Sequence, residues 1–516
     1  MFESRNFARI GTALCVAAAA IIIPTAALAQ SNPCVALTGM GVFKDTTITS
    51  TVQVPADGTR TLPAYCEVKG VIRPIPGSEI GVLYRLPERW NGKMLGIGGG
   101  GSAGNVRLDV VAVAGLRGGY ATAQTDGGHP DPDGSHVDWA VLSKGKVNLV
   151  KVEDFGNRSI HLMTTVGKSI VNKYYDLPIV KAYFQGCSTG GREGLMEVQR
   201  YPEDYDGVVT GAPVFDLTVN TTAMVRTQFF HKNPASNLLP KQLPTLAKAV
   251  MEACDKLDGV EDGIITDPRR CTWQPDTIRC KASEAPSATC LSPIQVAAVR
   301  AMYTGLTARN GQVVAYPLLR GSESSWRERS IGTTDDPMGS NLSTGSHTVM
   351  YMVYADHDYP VLNWRSEQIA EVKNSPTAKV YEATSRDASA FIKRGGKWLI
   401  WHGFNDPGPA PLTTAAYYEE MLQTSAAKLS RSSAQLRDSA RLFLAPGVYH
   451  CGGGPGPDQF DLLSALDAWV MNGSAPERIV ATNRAGDLSR PLCPYPALGL
   501  YRGAGDIRDE KSFVCR

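Results

Sequence analysis

Between Ile179 and Tyr201 the chain reads IVKAYFQGCSTGGREGLMEVQRY. A run with β-branched and aromatic residues (Ile179, Val180, Tyr183, Phe184) leads into Gly186-Cys187-Ser188-Thr189-Gly190, and a helix-forming run follows from Arg192 to Arg200. Strand, G-x-S-x-G and helix in that order require a sharp turn at the C-terminal edge of a sheet. Such a turn presents one serine and aims the next helix N-terminus at it. A Cβ at either flanking glycine would crowd the turn. Ser188 is therefore the candidate nucleophile, with the Thr189 N–H placed to meet a developing oxyanion. Gly100-Gly101-Ser102-Ala103-Gly104 fits the same pattern, but Ser102 sits in a glycine run with no strong helix former behind it, which is expected of a loop.

A serine needs a base to take its proton, and the base needs an orienting carboxylate. With this layout they come later in the chain, in the order Ser, Asp, His, each just beyond a strand. A strand predicted over Lys397–Trp401 leads to His402-Gly403-Phe404-Asn405-Asp406, and one over Arg441–Leu444 leads to Pro446-Gly447-Val448-Tyr449-His450. Asp406 is the candidate acid and His450 the candidate base. His402 is the rival base, but it lies too close in sequence to Asp406 to leave acid and base on separate loops. Cys187 precedes the serine and Cys451 follows the histidine. A disulfide between them requires Cα atoms within about 7 Å, which would make Ser188 and His450 neighbours.

At 516 residues the chain exceeds one ordinary core, so a large domain with an insertion, or two domains, is expected. A net charge of +2 with no basic run argues against nucleic acid as a partner. Outside the N-terminus no apolar run is long enough to span a membrane. Residues 1–29 read as a secretory signal: Arg5 and Arg9, an apolar run from Ile10 to Ile23, then Ala27-Leu28-Ala29 as the cleavage site. Cys15 leaves with that signal, and ten cysteines remain, an even count that in an exported chain reads as five disulfides. No C-x-x-C or H-x-x-x-H spacing supports zinc instead. A secreted or periplasmic location is expected.

Alternating runs such as Thr47–Thr49 and Gly81–Tyr84 suggest β-structure leading into a sheet. Lys93–Ile97 reads as a strand opening onto Gly98–Gly101, a turn whose backbone N–H groups can approach a ligand. A strand is expected over Gly119–Asp126, a helix over Val152–Tyr174 and a further short strand from Val208. From about Phe215 to Asn374 the chain is rich in Pro, Asn, Ser and Gly, with helical runs such as Leu239–Leu257. The α/β alternation resumes at Trp398 and ends in a helix over Phe460–Met471. The expected organisation is a catalytic domain over 30–214 and 386–516, interrupted by a lid domain over 215–385.

Gly186-Cys187-Ser188, Asp406 and His450-Cys451 resemble the Cys-Ser, Asp, His-Cys constellation of the tannase and feruloyl esterase family. The resemblance covers nearly all of the mature chain. It implies an α/β-hydrolase fold with a large inserted lid, and an ester of an aromatic acid as substrate. It also implies Ser188, His450 and Asp406 as nucleophile, base and acid, and an oxyanion hole of Thr189 with Gly100 or Gly101. A structural calcium ion in the lid is implied as well. Its ligands would be the carboxylates of Asp255, Asp258 and Asp262 and the carbonyls of Val260 and Ile264, in the run Cys254-Asp255-Lys256-Leu257-Asp258-Gly259-Val260-Glu261-Asp262-Gly263-Ile264. The pairs Cys34–Cys66, Cys254–Cys271, Cys280–Cys290 and Cys493–Cys515, nearest in sequence, follow the same resemblance beside Cys187–Cys451. The expected function is a serine esterase acting on a small aromatic ester of feruloyl, galloyl or terephthalate monoester type. An acyltransferase and a calcium-dependent binding protein on an inactive hydrolase scaffold are the competing readings. Arg320, Arg327, Arg329 and Arg365 are each candidates to pair with a substrate carboxylate.

Overall fold

The computed structural model describes residues 1, 33–38, 43–58, 62–102, 104, 106–131, 137–332 and 345–516. The signal expected over 1–29 lies outside them, apart from Met1. Nine strands form the central sheet: β1 (Thr46–Val54), β2 (Tyr65–Ile72), β3 (Ile80–Pro87), β4 (Lys93–Ile97), β5 (Ala121–Thr125), β6 (Lys181–Cys187), β7 (Gly207–Gly211), β8 (Lys397–Gly403) and β9 (Ala440–Ala445). Their spatial order is β1-β2-β3-β5-β4-β6-β7-β8-β9. The β1-β2, β2-β3 and β3-β5 pairings are antiparallel, and every pairing from β5 through β9 is parallel. This is the α/β-hydrolase fold.

The longer helices are α1 (Val110–Arg117), α2 (Ser159–Tyr175), α3 (Thr189–Arg200), α4 (Leu217–His231), α5 (Leu243–Cys254), α6 (Pro293–Thr304), α7 (Pro411–Leu429) and α8 (Leu462–Asn472). Side chains alternate across a strand, so β8 sends Trp398 and Ile400 to one face of the sheet and Leu399 and Trp401 to the other. The first face packs on α2, α3 and α7 through residues such as Met163, Leu195 and Met421. The second packs on α1 and α8 through Ala112, Leu466 and Trp469. Helices on both faces explain why the parallel strands read as nearly continuous apolar runs.

Three expected helices differ from those formed. The helix predicted from Arg192 starts at Thr189, and the absence of a side chain at Gly190 lets its first turn press against the glycine-rich loop. A Cβ on Gly190 would lie 2.8 Å from the Gly99 oxygen, and one on Gly186 would lie 2.5 Å from the Gly190 backbone. The helix predicted over Val152–Tyr174 breaks into a short helix, a π-helical turn at Asp154–Arg158, and α2. A π turn frees backbone carbonyls, and those of Phe155 and Gly156 accept from the Arg192 guanidinium. The helix predicted from Leu239 starts at Leu243, preceded by a 3-10 turn at Pro240–Gln242, since prolines at 240 and 244 fit only in a first turn.

The chain between β7 and β8 contributes to two apolar clusters. One of them is shared with the first half of the chain: Leu217, Met224 and Tyr381 pack with Val137, Ala140, Val152 and Phe155. The inserted residues thus rest on the core over a continuous apolar contact, not only on their two ends.

Trp469 on α8 is fully buried against the parallel strands. Trp469→Ala should lower stability by about 3–5 kcal/mol, read as a shift of the urea unfolding midpoint.

Candidate active site

Ser188 occupies the turn between β6 and α3 with φ 64° and ψ −117°. A non-glycine residue holds this left-handed conformation only where its surroundings over-determine it. Here the Ser188 N–H donates to the Gly211 oxygen at the end of β7 (2.9 Å), and Ser188 O accepts from Arg192 N–H in the first turn of α3 (3.0 Å). The hydroxyl is thereby lifted off the sheet edge. Ser102 of the second G-x-S-x-G is 5% exposed, and its carbonyl accepts from the His129 ring at 2.8 Å, so it belongs to a packed loop.

His450 lies beyond β9 and Asp406 beyond β8. His450 Nε2 is 2.9 Å from Ser188 Oγ, and His450 Nδ1 is 2.7 Å from Asp406 Oδ2. An ionised carboxylate only accepts, so Nδ1 carries the proton and Nε2 is left to accept from the serine hydroxyl. Burial works to raise the Asp406 carboxyl, but the charge of His450 and hydrogen bonds from both His402 and His450 prevail and hold it well below the usual carboxylate range. Its other oxygen accepts the Gly408 N–H at 2.6 Å. Cys187 and Cys451 are joined, with Cα atoms 6.0 Å apart. The other four pairs formed are Cys34–Cys66, Cys254–Cys271, Cys280–Cys290 and Cys493–Cys515.

The glycine-rich loop after β4 is fixed by hydrogen bonds that use up its first amides. Gly98 N–H donates to Gln185 O (3.0 Å) and Gly99 N–H to Glu193 Oε2 (2.9 Å). Thr189 donates its hydroxyl to Gly101 O (2.6 Å), and Gly190 N–H donates to Gly99 O (2.9 Å). Among the described residues, the amides of Gly100 and Gly101 meet no acceptor. They line the same cleft as Ser188, Thr189 and His450. That cleft measures about 1110 Å³, large enough for a substrate of drug size. Phe155, Tyr381, Trp401 and Phe460 stand in its wall, with Arg329 and Arg484 as its cations. Of the four arginines singled out in the sequence, Arg329 alone borders this cleft. Arg320 instead donates to Trp273 O and lies over the Tyr303 ring.

Several buried charges that the sequence did not single out support this arrangement. The Arg192 guanidinium lies against both the Phe155 and Tyr381 rings, 5.2 and 4.4 Å from their centroids. Arg226 of α4 donates to the carbonyls of Pro407 and Gly408, beside the acid, and to Tyr316 O (2.9 Å). Burial lowers its guanidinium to about 10, with Asp406 acting in the opposite sense. Glu193, which holds the Gly99 amide, is pushed up to about 7 by burial, opposed by Arg192 and that amide. The available signal was an Arg-Glu pair directly after the elbow glycines, on a helix start that has to be buried.

The loop from Asp255 to Ile264 is drawn together by its own carboxylates. Asp255 Oδ2 accepts Gly263 N–H (3.0 Å), Asp258 accepts Val260 N–H and Thr266 N–H (both 3.1 Å), and Asp262 Oδ1 accepts Ile264 N–H (3.0 Å). Asp262 also pairs with Arg490. Asp255 Oδ1 is buried with no hydrogen-bond partner. Among the described residues, no three His, Cys, Asp or Glu side chains converge as a ligand group.

The family model for tannase and feruloyl esterase matches residues 66–516. The chain belongs to the tannase and feruloyl esterase family. It is 32% identical over 526 residues to mono(2-hydroxyethyl) terephthalate hydrolase of Piscinibacter sakaiensis, covering 88% of this chain and 85% of that protein. It is 30% identical over 479 residues to a probable feruloyl esterase B of Aspergillus clavatus, covering 87% and 86%. The crystal structure of feruloyl esterase B from Aspergillus oryzae superposes with a TM-score of 0.83 at 26% identity, covering 94% of this chain and 99% of that one. Membership of this family makes the protein a carboxylic ester hydrolase.

Glu193 gives a pH test of the elbow. Its folded-state value lies above the ordinary 4.5, so its contribution to stability is full below that pH and is lost as pH rises through about 7. Glu193→Gln keeps an acceptor for the Gly99 N–H and cannot ionise. It should melt with the parent at pH 4, melt higher than the parent at pH 8.5, and retain esterase activity.

Proposed function

We propose that the protein is a secreted serine esterase that cleaves esters of aromatic carboxylic acids through an acyl-enzyme. The observation that carries this reading is the chain of contacts from Ser188 Oγ to His450 Nε2 and from His450 Nδ1 to Asp406 at the floor of the cleft. Ser188 Oγ attacks the ester carbonyl carbon while its proton passes to His450 Nε2. The oxyanion that forms is met by the Thr189 N–H and by a loop amide, Gly100 or Gly101. Collapse breaks the carbon–oxygen bond to the alcohol, which leaves with the proton from His450. Water then gives a proton to His450, attacks the acyl-enzyme, and the second collapse returns the proton to Ser188 Oγ and frees the acid.

Support for an aromatic acid comes from the rings of Phe155, Tyr381, Trp401 and Phe460 in the cleft wall, and from relatives named for feruloyl and terephthalate esters. The segment over 215–385 acts as a lid, contributing Asn220, Thr348 and Tyr381 to that wall. Five disulfides favour an oxidising compartment, hence export.

Calcium fits the lid loop because the buried, unpartnered Asp255 Oδ1 lacks a cation or donor. Asp255, Asp258 and Asp262, with the carbonyls of Val260 and Ile264, would hold it. The ion would neutralise charge in the loop and stay outside the reaction.

Ser188→Ala should lower kcat by several orders of magnitude, whereas Ser102→Ala should keep most activity. Product release from methyl ferulate, methyl gallate and a terephthalate monoester would read both and rank the acids. Full activity in Ser188→Ala would end this reading. Removal of calcium by a chelator should lower the melting temperature by an amount set by the ratio of ion concentration to Kd. It should depress turnover of bulky aromatic esters more than turnover of a small activated ester. An unchanged melting temperature with no metal by elemental analysis would refute the ion.

A further inference from the structure

Asp406 is shared by two histidines. His450 reaches Oδ2 from the cleft side, and fully buried His402 reaches the same oxygen from β8, its Nε2 at 3.1 Å. His402 Nε2 is also 3.2 Å from Pro409 O. A carboxylate and a carbonyl both only accept, so Nε2 must carry a proton. The other ring nitrogen, Nδ1, lies 2.7 Å from the hydroxyl of Thr414, a fully buried residue in the first turn of α7. In a neutral imidazole with Nε2 protonated, Nδ1 accepts, and the Thr414 hydroxyl is the donor that meets it.

We infer that His402 is a positioning residue for the ester hydrolysis, its tautomer locked by Thr414 so that Nε2 keeps its proton and donates toward Asp406, with Pro409 O as the second acceptor. The inference rests on the Ser188, His450 and Asp406 reading given above. The relay then runs from Thr414 through His402, Asp406 and His450 to Ser188, each bond fixing the direction of the next. Two effects follow. The carboxylate is pinned in the plane that receives His450 Nδ1–H, so the base does not rotate away from the serine. The donated hydrogen bond also draws off part of the negative charge that Asp406 presents to His450.

The other charged and titratable groups around this pair are few. Arg226 faces Asp406 from α4. Asp109, Asp458, Arg329 and Arg484 line the cleft. None of these is removed by a change at 402 or 414.

The test is the pH profile of kcat/KM on a small activated ester for Thr414→Val, His402→Phe and His402→Gln, with Ser188→Ala as reference. Thr414→Val keeps the side-chain shape and removes the hydroxyl. It and His402→Phe should lower kcat about ten- to a hundred-fold, the worth of one charge-assisted hydrogen bond. KM should stay within about two-fold, and the acidic limb should move to higher pH by about half a unit or more. His402→Gln, whose amide can still donate, should recover much of the loss and return the limb toward the parent position. A merely structural role would lower the yield of folded enzyme without moving the limb. If His402→Phe does not fold, Thr414→Val decides alone. Folded Thr414→Val with the parent kcat and acidic limb overturns the inference. Activity surviving in Ser188→Ala overturns instead the serine reading beneath it.

Discussion

Everything at the active site depends on two loops being held together although 264 residues separate the cysteines that join them. Without the Cys187–Cys451 bond, bringing the base to the nucleophile would close a loop of that length by packing alone. In the chain-entropy account the bond removes freedom from the unfolded chain worth on the order of 5 kcal/mol. Its geometric effect is more local. Cys187 ends β6 and Cys451 follows His450 directly, so the bond limits how far the imidazole can move from Ser188. Cys451 itself sits at φ 60°, a left-handed conformation that the covalent tie and the turn around it sustain.

Below the elbow the molecule accepts buried charge where an apolar core would be more stable. Arg192 and Glu193 stand on the inward side of α3, and Arg226 on α4, all essentially inaccessible to water. Burying such groups is tolerable only when each is met by opposite charge or by hydrogen bonds. The guanidinium of Arg192 is met by carbonyls that a π turn releases, and Arg226 by carbonyls of the acid loop. Each of these groups therefore fixes a backbone segment that an apolar side chain would leave free to shift. Glu193 aligns the glycine loop, Arg192 the aromatic wall, and Arg226 the loop beyond β8. Precise placement of catalytic groups depends on such fixing.

The order of strands and the ends that carry function were legible in the sequence, because period-two and continuous apolar runs locate strands and because motif chemistry is local. Ser188, Asp406 and His450 each follow a strand that the pattern revealed. Cysteines flanking Ser188 and His450 carried long-range information that few other residues can. What was not legible came from tertiary contact. The π turn at Asp154–Arg158 answers a guanidinium from another helix, and Gly190 must be glycine because a loop far away in sequence leaves no room for a side chain. His402 was read only as a competitor of His450. Its place behind Asp406 depends on Thr414, and a hydroxyl on a helix yet to be packed has no sequence signature. Likewise, a boundary placed at 215 does not reveal that Leu217 and Met224 share a core with Val152 and Phe155.

The position of the insertion between β7 and β8 has a consequence for how the chain is made. Synthesis runs from the N-terminus, so the nucleophile strand and its helix are complete long before the acid and base loops exist. Until then Cys187 has no partner, while Cys34–Cys66, Cys254–Cys271 and Cys280–Cys290 span only 32, 17 and 10 residues and can close as they emerge. Closing the local pairs first leaves Cys187 as the single thiol waiting among the early cysteines. The growing chain is then inert as a hydrolase until its final segment brings the acid, the base and Cys451.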